Sequence, residues 1–279
     1  MKKIGYLGPE GTFSQEAGKV YVKALEVKAD LIPYSTHHDL LFAVDREEVD
    51  EGITPIENSI EGSIGIVYDM LAKEVDLKIR GEIILPIHHA LMAKKHLELK
   101  DIKEIISHPQ PIEQCRGWIR KHLPRAAVSL SYSTSEAAKL VAFSDRDDIA
   151  CAGPAGLAKL YELKVIVKDI ADYKDNATRF VILGKADHKK TGADKTSIVF
   201  SAITDQPGGL HTILGEFAIR NINLTKIESR PSKKALGDYY FFIDMEGHRQ
   251  DKEIHGALAD IMNKVSFIKV LGSYPKGGK

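Results

Sequence analysis

The chain predicts an α/β protein that ends in a smaller unit of ferredoxin-like β-α-β-β-α-β order. Three observations lead there. Through the first two-thirds of the 279 residues, short apolar runs alternate with amphipathic stretches, the pattern of strand–helix units on a mainly parallel sheet. A polar, charged segment without large apolar residues interrupts that pattern at Lys185-Ala186-Asp187-His188-Lys189-Lys190-Thr191-Gly192, as a domain linker does. Beyond it, roughly 80 residues read as strand, helix, strand, strand, helix, strand. The expected division is 1–184, a linker at 185–195, and 196–279. Length is a soft prior for two domains, and 43% hydrophobic with 28% charged residues suits a globular chain with a real core.

Each element has its own signal. Ile4 to Leu7 is strand-like, Gly8-Pro9-Glu10-Gly11 is a turn, and helical sequence starts near Thr12. Leu31-Ile32-Pro33 closes another short run, after which Ser35 or Thr36 can cap a helix through Leu40, Leu41 and Val44. Gly52 to Ile56 and Ile102 to Ser107 are strand candidates, and Ile112 to His122 reads as a helix. Thr134-Ser135-Glu136 begins a further helix, and Asp148 to Ala152 is a buried strand. After the linker, Ser197 to Ala202 is a strand, Gln206-Pro207-Gly208-Gly209 a turn, and Leu210, Ile213, Leu214 and Phe217 mark a helix. Ile222 to Ile227 and Tyr239 to Met245 are strands, Ile254 to Val265 is helical, and Ser266 to Leu271 is the last strand.

Composition excludes several classes. Lys+Arg and Asp+Glu both number 39, and no basic run leaves an electrostatic footprint for nucleic acid. Lys189, Lys190 and Lys195 are interrupted by Asp187 and Asp194, as in a solvated linker. The two cysteines, Cys115 and Cys151, form no Cys-x-x-Cys pair and no zinc spacing, so they read as small buried hydrophobes in a reducing compartment. No segment has the length and apolarity of a signal peptide or a membrane span, so a cytoplasmic protein is expected, with no membrane partner.

Ligands of open α/β sheets bind in loops beyond the strands' carboxyl ends. Four polar clusters sit in such loops. Gly8-Pro9-Glu10-Gly11-Thr12-Phe13-Ser14 offers close backbone approach and free N–H groups at a helix start. Pro55-Ile56-Glu57-Asn58-Ser59-Ile60-Glu61-Gly62-Ser63 gathers carboxyl, amide and hydroxyl groups before a helical stretch, where simple capping is an equal explanation. Ser107-His108-Pro109-Gln110-Pro111-Ile112-Glu113-Gln114-Cys115 follows a strand. Asp175-Asn176-Ala177-Thr178-Arg179-Phe180 enters an apolar run, with a hydroxyl beside a guanidinium fork that matches a carboxylate. Neighbours on a strand point to opposite faces, so Thr178 and Arg179 both meet ligand only if the strand begins irregularly. No phosphate-binding loop, dinucleotide fingerprint, His-Glu-x-x-His or Gly-x-Ser-x-Gly occurs. His37-His38 and His88-His89 lack the spacing of helical metal ligands and read as surface or core polar residues. The expected site is free of cofactor and metal, and suits a polyanionic small molecule and acid-assisted elimination.

With those four motifs in that order, the chain resembles the prephenate dehydratase family over nearly its whole length. Pro207-Gly208-Gly209-Leu210 and Asn223-Leu224-Thr225-Lys226-Ile227-Glu228-Ser229-Arg230-Pro231 resemble the family's ACT regulatory domain. The resemblance implies a catalytic domain of two α/β lobes, periplasmic-binding-protein-like, with the active site in the cleft, followed by a ferredoxin-like (βαββαβ) ACT domain. It implies conversion of prephenate to phenylpyruvate with loss of carbon dioxide and water. Catalytic residues carried over are Thr178, Glu57, Asn58, Ser107 and Gln114. Arg179, Phe180, Ser59, Gly11 and Thr12 follow as substrate-binding. L-phenylalanine is implied as allosteric effector at an ACT–ACT interface, with Pro207, Gly208, Gly209, Leu210, His211, Asn223, Leu224, Glu228, Ser229, Arg230 and Pro231 as its set. The first regulatory motif is commonly Gly-Ala-Leu-Val and runs Gly208-Gly209-Leu210-His211 here. A homodimer or homotetramer is implied, and without a chorismate mutase segment before Ile4 a monofunctional enzyme is expected.

The barrier lies in expelling hydroxide, and a donor held against that oxygen stabilises the developing charge. Thr178 is therefore expected to position and donate. Glu57, the only carboxyl of the set, becomes the general acid if burial raises its pKa. Arg179 is expected to grip a substrate carboxylate. Arogenate dehydratase and a non-catalytic amino-acid sensor remain as alternatives.

Overall fold

A computed structural model describes residues 1–277 except 26, 203–206, 234 and 236. A first lobe is built from β1 (Lys2–Leu7), α1 (Phe13–Ala24), β2 (Ala29–Tyr34), α2 (His37–Asp45), β3 (Glu51–Asn58), β4 (Gly62–Ser63), α3 (Gly65–Lys73) and β5 (Lys78–Pro86). The chain then crosses to a second lobe. That lobe comprises β6 (Ala90–Ala93), β7 (Glu104–Ser107), α4 (Pro109–Gln114), α5 (Arg116–His122), β8 (Ala127–Leu130), α6 (Thr134–Phe143), β9 (Ile149–Gly153), α7 (Gly156–Leu160) and β10 (Lys164–Val167). It returns as β11 (Ala177–Gly184), which enters the first sheet in the order β2-β1-β3-β11-β5. The second sheet runs β10-β6-β9-β7-β8. Both sheets are mixed rather than mainly parallel: β1 pairs in parallel with β2 and β3 in the first, and β7 with β8 and β9 in the second. β11 runs against both of its neighbours in the first, and β6 against β9 and β10 in the second.

Local chemistry explains the element starts. Thr12 caps α1 by accepting from Gln15 N at 3.4 Å, and Gln15 Oε1 accepts from Gly11 N, one residue before the cap, at 3.0 Å. Thr36, not Ser35, caps α2, and Ser133 caps α6 through Glu136 N. Pro33 falls inside β2, tolerated because that strand is the sheet's edge. The single helix expected over Ile112 to His122 is instead two helices that break at Cys115. The second helix gets its cap from afar, since Asp172 accepts from Gly117 N at 2.7 Å and Trp118 N at 2.8 Å.

The last unit holds β12 (Asp194–Ala202), α8 (Gly209–Ala218), β13 (Leu224–Pro231), β14 (Tyr239–Glu246), α9 (Lys252–Met262) and β15 (Val265–Pro275). Its sheet order, β13-β14-β12-β15, is the ferredoxin-like arrangement. Gln206 of the expected turn lies outside the described residues; Gly208 caps α8 at φ +83°, a left-handed conformation that favours glycine. One face of this sheet packs on α8 and α9 through Ile198, Phe200, Ile213, Phe217 and Ile261. The other joins the first lobe's core, where Phe242, Leu271 and Tyr274 meet Tyr68, Leu71 and Ile79. There β15 runs so close to β5 that a Cβ on Gly272 would lie 2.2 Å from Ile79 O. Among the described residues, no helix is long and apolar enough to cross a membrane.

His37, the first residue of α2, hydrogen-bonds Thr54 Oγ1 through Nδ1 at 2.8 Å. Burial, aided by the neighbouring His38, pulls its pKa down from 6.5 to about 4. The unfolded chain therefore takes up this proton first. The stabilisation is complete above pH 6.5 and is lost as pH falls towards 4. Urea midpoints should drop across that window, and the drop should shrink in His37→Gln; identical profiles in both proteins would remove His37 from this role.

Candidate active site

Between the lobes the two crossover segments run side by side, tied by Ile87 N to Asn176 O and by Ile170 N to His89 O, each at 2.8 Å. They floor a cleft of about 260 Å³. The first lobe lines it with Leu7, Thr12, Phe13, Ser14, Pro55, Asn58, Ile64 and Thr178. Ile87 and His89 come from the crossover, and His108, Gln110, Pro111, Gln114, Tyr132, Ser133 and Thr134 from the second lobe.

The polar groups form a chain whose direction can be read. Asn58 Oδ1 accepts from the backbone N–H groups of Ile60 and Glu61 at 3.0 and 3.1 Å, which fixes the amide's orientation. Its Nδ2 therefore donates, to Asn176 Oδ1 at 2.8 Å and to Thr178 Oγ1 at 2.9 Å. Thr178 accepts in this bond, so its own hydrogen remains for a group in the cleft. Asn176 Nδ2 in turn donates to Gln114 Oε1 at 3.1 Å, and Gln114 Nε2 donates to Glu61 Oε1 at 2.9 Å. That last bond spans the lobes. Gln114 Oε1 also meets His89 Nε2 at 2.8 Å, so the network assigns the hydrogen of this ring to Nε2. His89 is 2% exposed, and burial, opposed by the bond to Gln114, lowers its pKa and keeps it neutral. Its Nδ1 is buried and has no partner among the described residues. Burial lowers the pKa of His108 likewise. The lining therefore holds hydroxyls, amides and neutral imidazoles on an apolar wall.

The sequence model of the family described as prephenate dehydratase matches residues 4–188. The chain belongs to the prephenate dehydratase family. The ACT domain model matches residues 196–261. A prephenate dehydratase of Methanocaldococcus jannaschii is 41% identical over 98% of both chains. The bifunctional chorismate mutase/prephenate dehydratase of Aquifex aeolicus is 41% identical over 98% of this chain and 74% of its own. A crystal structure of prephenate dehydratase in complex with L-Phe from Arthrobacter aurescens superposes with a TM-score of 0.88 at 36% identity, over 98% of this chain and 90% of that one.

Of the residues expected in a prephenate dehydratase site, the structure brings Thr178, Asn58, Gln114 and Thr12 to the cleft. Ser59 stands beside it, its Oγ accepting from Ala177 N at 3.0 Å. Ser107 is fully buried and donates to Ala152 O at 2.6 Å, tying β7 to β9 behind the cleft. Gly11 lines an adjoining groove with Thr12.

Three expectations need correction. Arg179 does not reach the cleft. β11 pairs regularly through Thr178↔Asn58 and Arg179↔Glu57, and the irregularity comes only after Arg179, so strand alternation turns the guanidinium to the opposite face. There Nη1 donates to Asp244 Oδ2 at 2.8 Å and Glu82 Oε2 at 3.3 Å, and Nη2 to Tyr68 OH at 3.3 Å. Nε lies 3.2 Å from Glu57 Oε2 but out of line for a hydrogen bond. Burial alone would lower the Arg179 pKa, yet Asp244, Tyr274, Tyr68 and Glu57 together raise it, so the group stays charged. Glu57 shares that face, paired with Lys226 Nζ at 2.7 Å, and is not placed to protonate a ligand in the cleft. Phe180 is 1% exposed, packed in the first lobe's core with Tyr6, Ile53 and Ile182.

The regulatory set divides. Pro207, Gly208 and His211 are exposed, Gly209 and Leu210 half-buried at the start of α8. Asn223 is exposed, its carbonyl accepting from Glu246 N, and Leu224 packs on the α8–α9 core. Ser229 and Pro231 face solvent. Glu228 and Arg230 turn to the first lobe, where Glu228 meets Ser63 and Lys226, and Arg230 meets Asp69. Sequence reasoning gave no role to Asn176, His89 or Asp244. The available signal was a polar residue inside an apolar run, as in Phe242-Ile243-Asp244-Met245.

Proposed function

We infer that this chain is a prephenate dehydratase whose turnover L-phenylalanine controls through the ACT domain. The observation that carries the reading is the Thr178 hydroxyl, oriented by Asn58 with its hydrogen left for the cleft. In the reaction the ring–carboxylate bond breaks to release carbon dioxide, and its electron pair joins the aromatising ring. The ring carbon–hydroxyl bond breaks, the pair leaves with oxygen, and a proton from solvent completes water. Thr178 donates to that leaving oxygen; Gln114 and Asn176 hold the Asn58 amide that holds Thr178. With Arg179 and Glu57 on the far face, N–H and O–H donors of both lobes carry the recognition of the substrate's carboxylates.

The same reading divides the chain into a catalytic domain at 1–184, a linker at 185–195 and a regulatory domain at 196–279. It places the enzyme in the cytoplasm as a homodimer or homotetramer whose paired ACT domains bind phenylalanine. The ordered partners of the amide chain and the start of α8, which no side chain caps among the described residues, support it. The test is phenylpyruvate formation from prephenate by the purified protein, with and without millimolar phenylalanine, beside arogenate as competitor and with the assembly sized in solution. Turnover suppressed by phenylalanine is the expected result. A folded protein that turns over neither substrate would sink the catalytic reading, and turnover indifferent to bound phenylalanine the regulatory one.

A further inference from the structure

The ribbon formed by β3 and β11 carries two cross-strand pairs back to back. Thr178 and Asn58 face the cleft; one residue along, Arg179 and Glu57 face the ACT domain. Nothing flexible separates the pairs, because they share peptide units. On the far side, Asp244 Oδ2 holds Arg179 Nη1 at 2.8 Å, while Asp244 Oδ1 accepts from Ser197 Oγ at 2.6 Å, so this carboxylate follows the ACT sheet. Lys226 Nζ holds Glu57 at 2.7 Å and Ser63 Oγ at 2.9 Å. Lys226 lies on β13, two residues before Glu228 and four before Arg230.

We propose that Asp244 and Lys226 are positioning residues for the reaction, holding Thr178 and Asn58 in register through Arg179 and Glu57, so that the state of the ACT sheet sets the geometry of the cleft. Buried ions bridging two packed layers do not slide smoothly: a rotation of the ACT sheet either carries Arg179 along or exchanges its carboxylate partners, Asp244 and Glu82. Displacement of about 1 Å at a reacting group is enough to lower a rate by about a hundredfold. The inference rests on the regulatory reading above for its ligand, but its positional part stands without one.

The test uses the full chain and compares wild type, Asp244→Asn, Lys226→Met and, as an interface control off this path, Lys78→Met, whose Nζ meets Val270 O at 2.9 Å. Melting temperature verifies folding, turnover of prephenate gives kcat and KM, and calorimetry gives phenylalanine binding. Asp244→Asn and Lys226→Met are expected to lower kcat about tenfold with KM held. Phenylalanine should still bind them but no longer change their rate, and Lys78→Met should behave as wild type. Asp244→Glu, which restores the charge, should recover part of kcat. Should Asp244→Asn fail to fold, Lys226→Met, at the more open end of the network, decides. Wild-type kcat in both variants, or a rise in KM alone, overturns the proposal. If wild type neither binds nor answers phenylalanine while the kcat losses remain, the regulatory reading falls and the positioning role stands.

Discussion

Thr178→Ala is expected to lower kcat for prephenate by about a hundred- to a thousandfold, the loss seen when one donor to a developing oxyanion is removed. The fold should survive. Asn58 Nδ2 keeps its bond to Asn176 Oδ1 and can turn its second hydrogen to Ala177 O at 3.3 Å, so no buried donor is stranded. Thr178→Val removes the hydroxyl at nearly constant volume and should match alanine, whereas Thr178→Ser keeps the donor and most of the rate. Stopped assays of phenylpyruvate formation separate the cases. A variant whose KM rises while kcat holds would reduce Thr178 to a binding residue.

Arg179→Met should cost the protein stability rather than substrate affinity. Removing the guanidinium strands Asp244 and Glu82, both under a tenth exposed, and breaking a buried ion pair on one side costs about 3–5 kcal/mol. Lys195 still reaches Glu82 at 3.0 Å, which softens the loss without covering Asp244. Urea unfolding should show the shifted midpoint, and folded variant should retain the wild-type KM. Arg179→Lys keeps the charge but not the fork, so it can serve one carboxylate and should fall between. A KM increase at unchanged stability would restore Arg179 to the substrate.

Sequence pattern was enough to read the two units and most elements, because capping residues and apolar periodicity are local. Thr12, Thr36 and the β-α-β-β-α-β order are all of that kind. The break at Cys115 was not legible: it depends on Asp172 reaching back across 55 residues to cap the second helix. Motif membership likewise located the strand of Thr178 and Arg179 but not which face each side chain takes. That depends on whether β11 begins regularly, a property of its pairing with β3. Asp244 passed unnoticed, and His89 was read only as a surface or core polar residue, because a single polar residue names no partner; those partners lie far off in the chain, Arg179 on another sheet and Gln114 on α4.

The position of β11 has a consequence for how the protein is made. This strand lies between β3 and β5, yet the ribosome delivers it only after the whole second lobe has emerged. Until then the first lobe has a gap one strand wide, with two open edges and a core lacking Phe180 and Ile182. The second lobe, whose strands are contiguous in the chain, can close by itself during synthesis. Chains ending at residue 176 and freed from the ribosome should therefore show protease resistance over the second lobe and not over β1–β5. Thr178 arrives on the strand that completes the first sheet, so a half-made chain carries no working cleft.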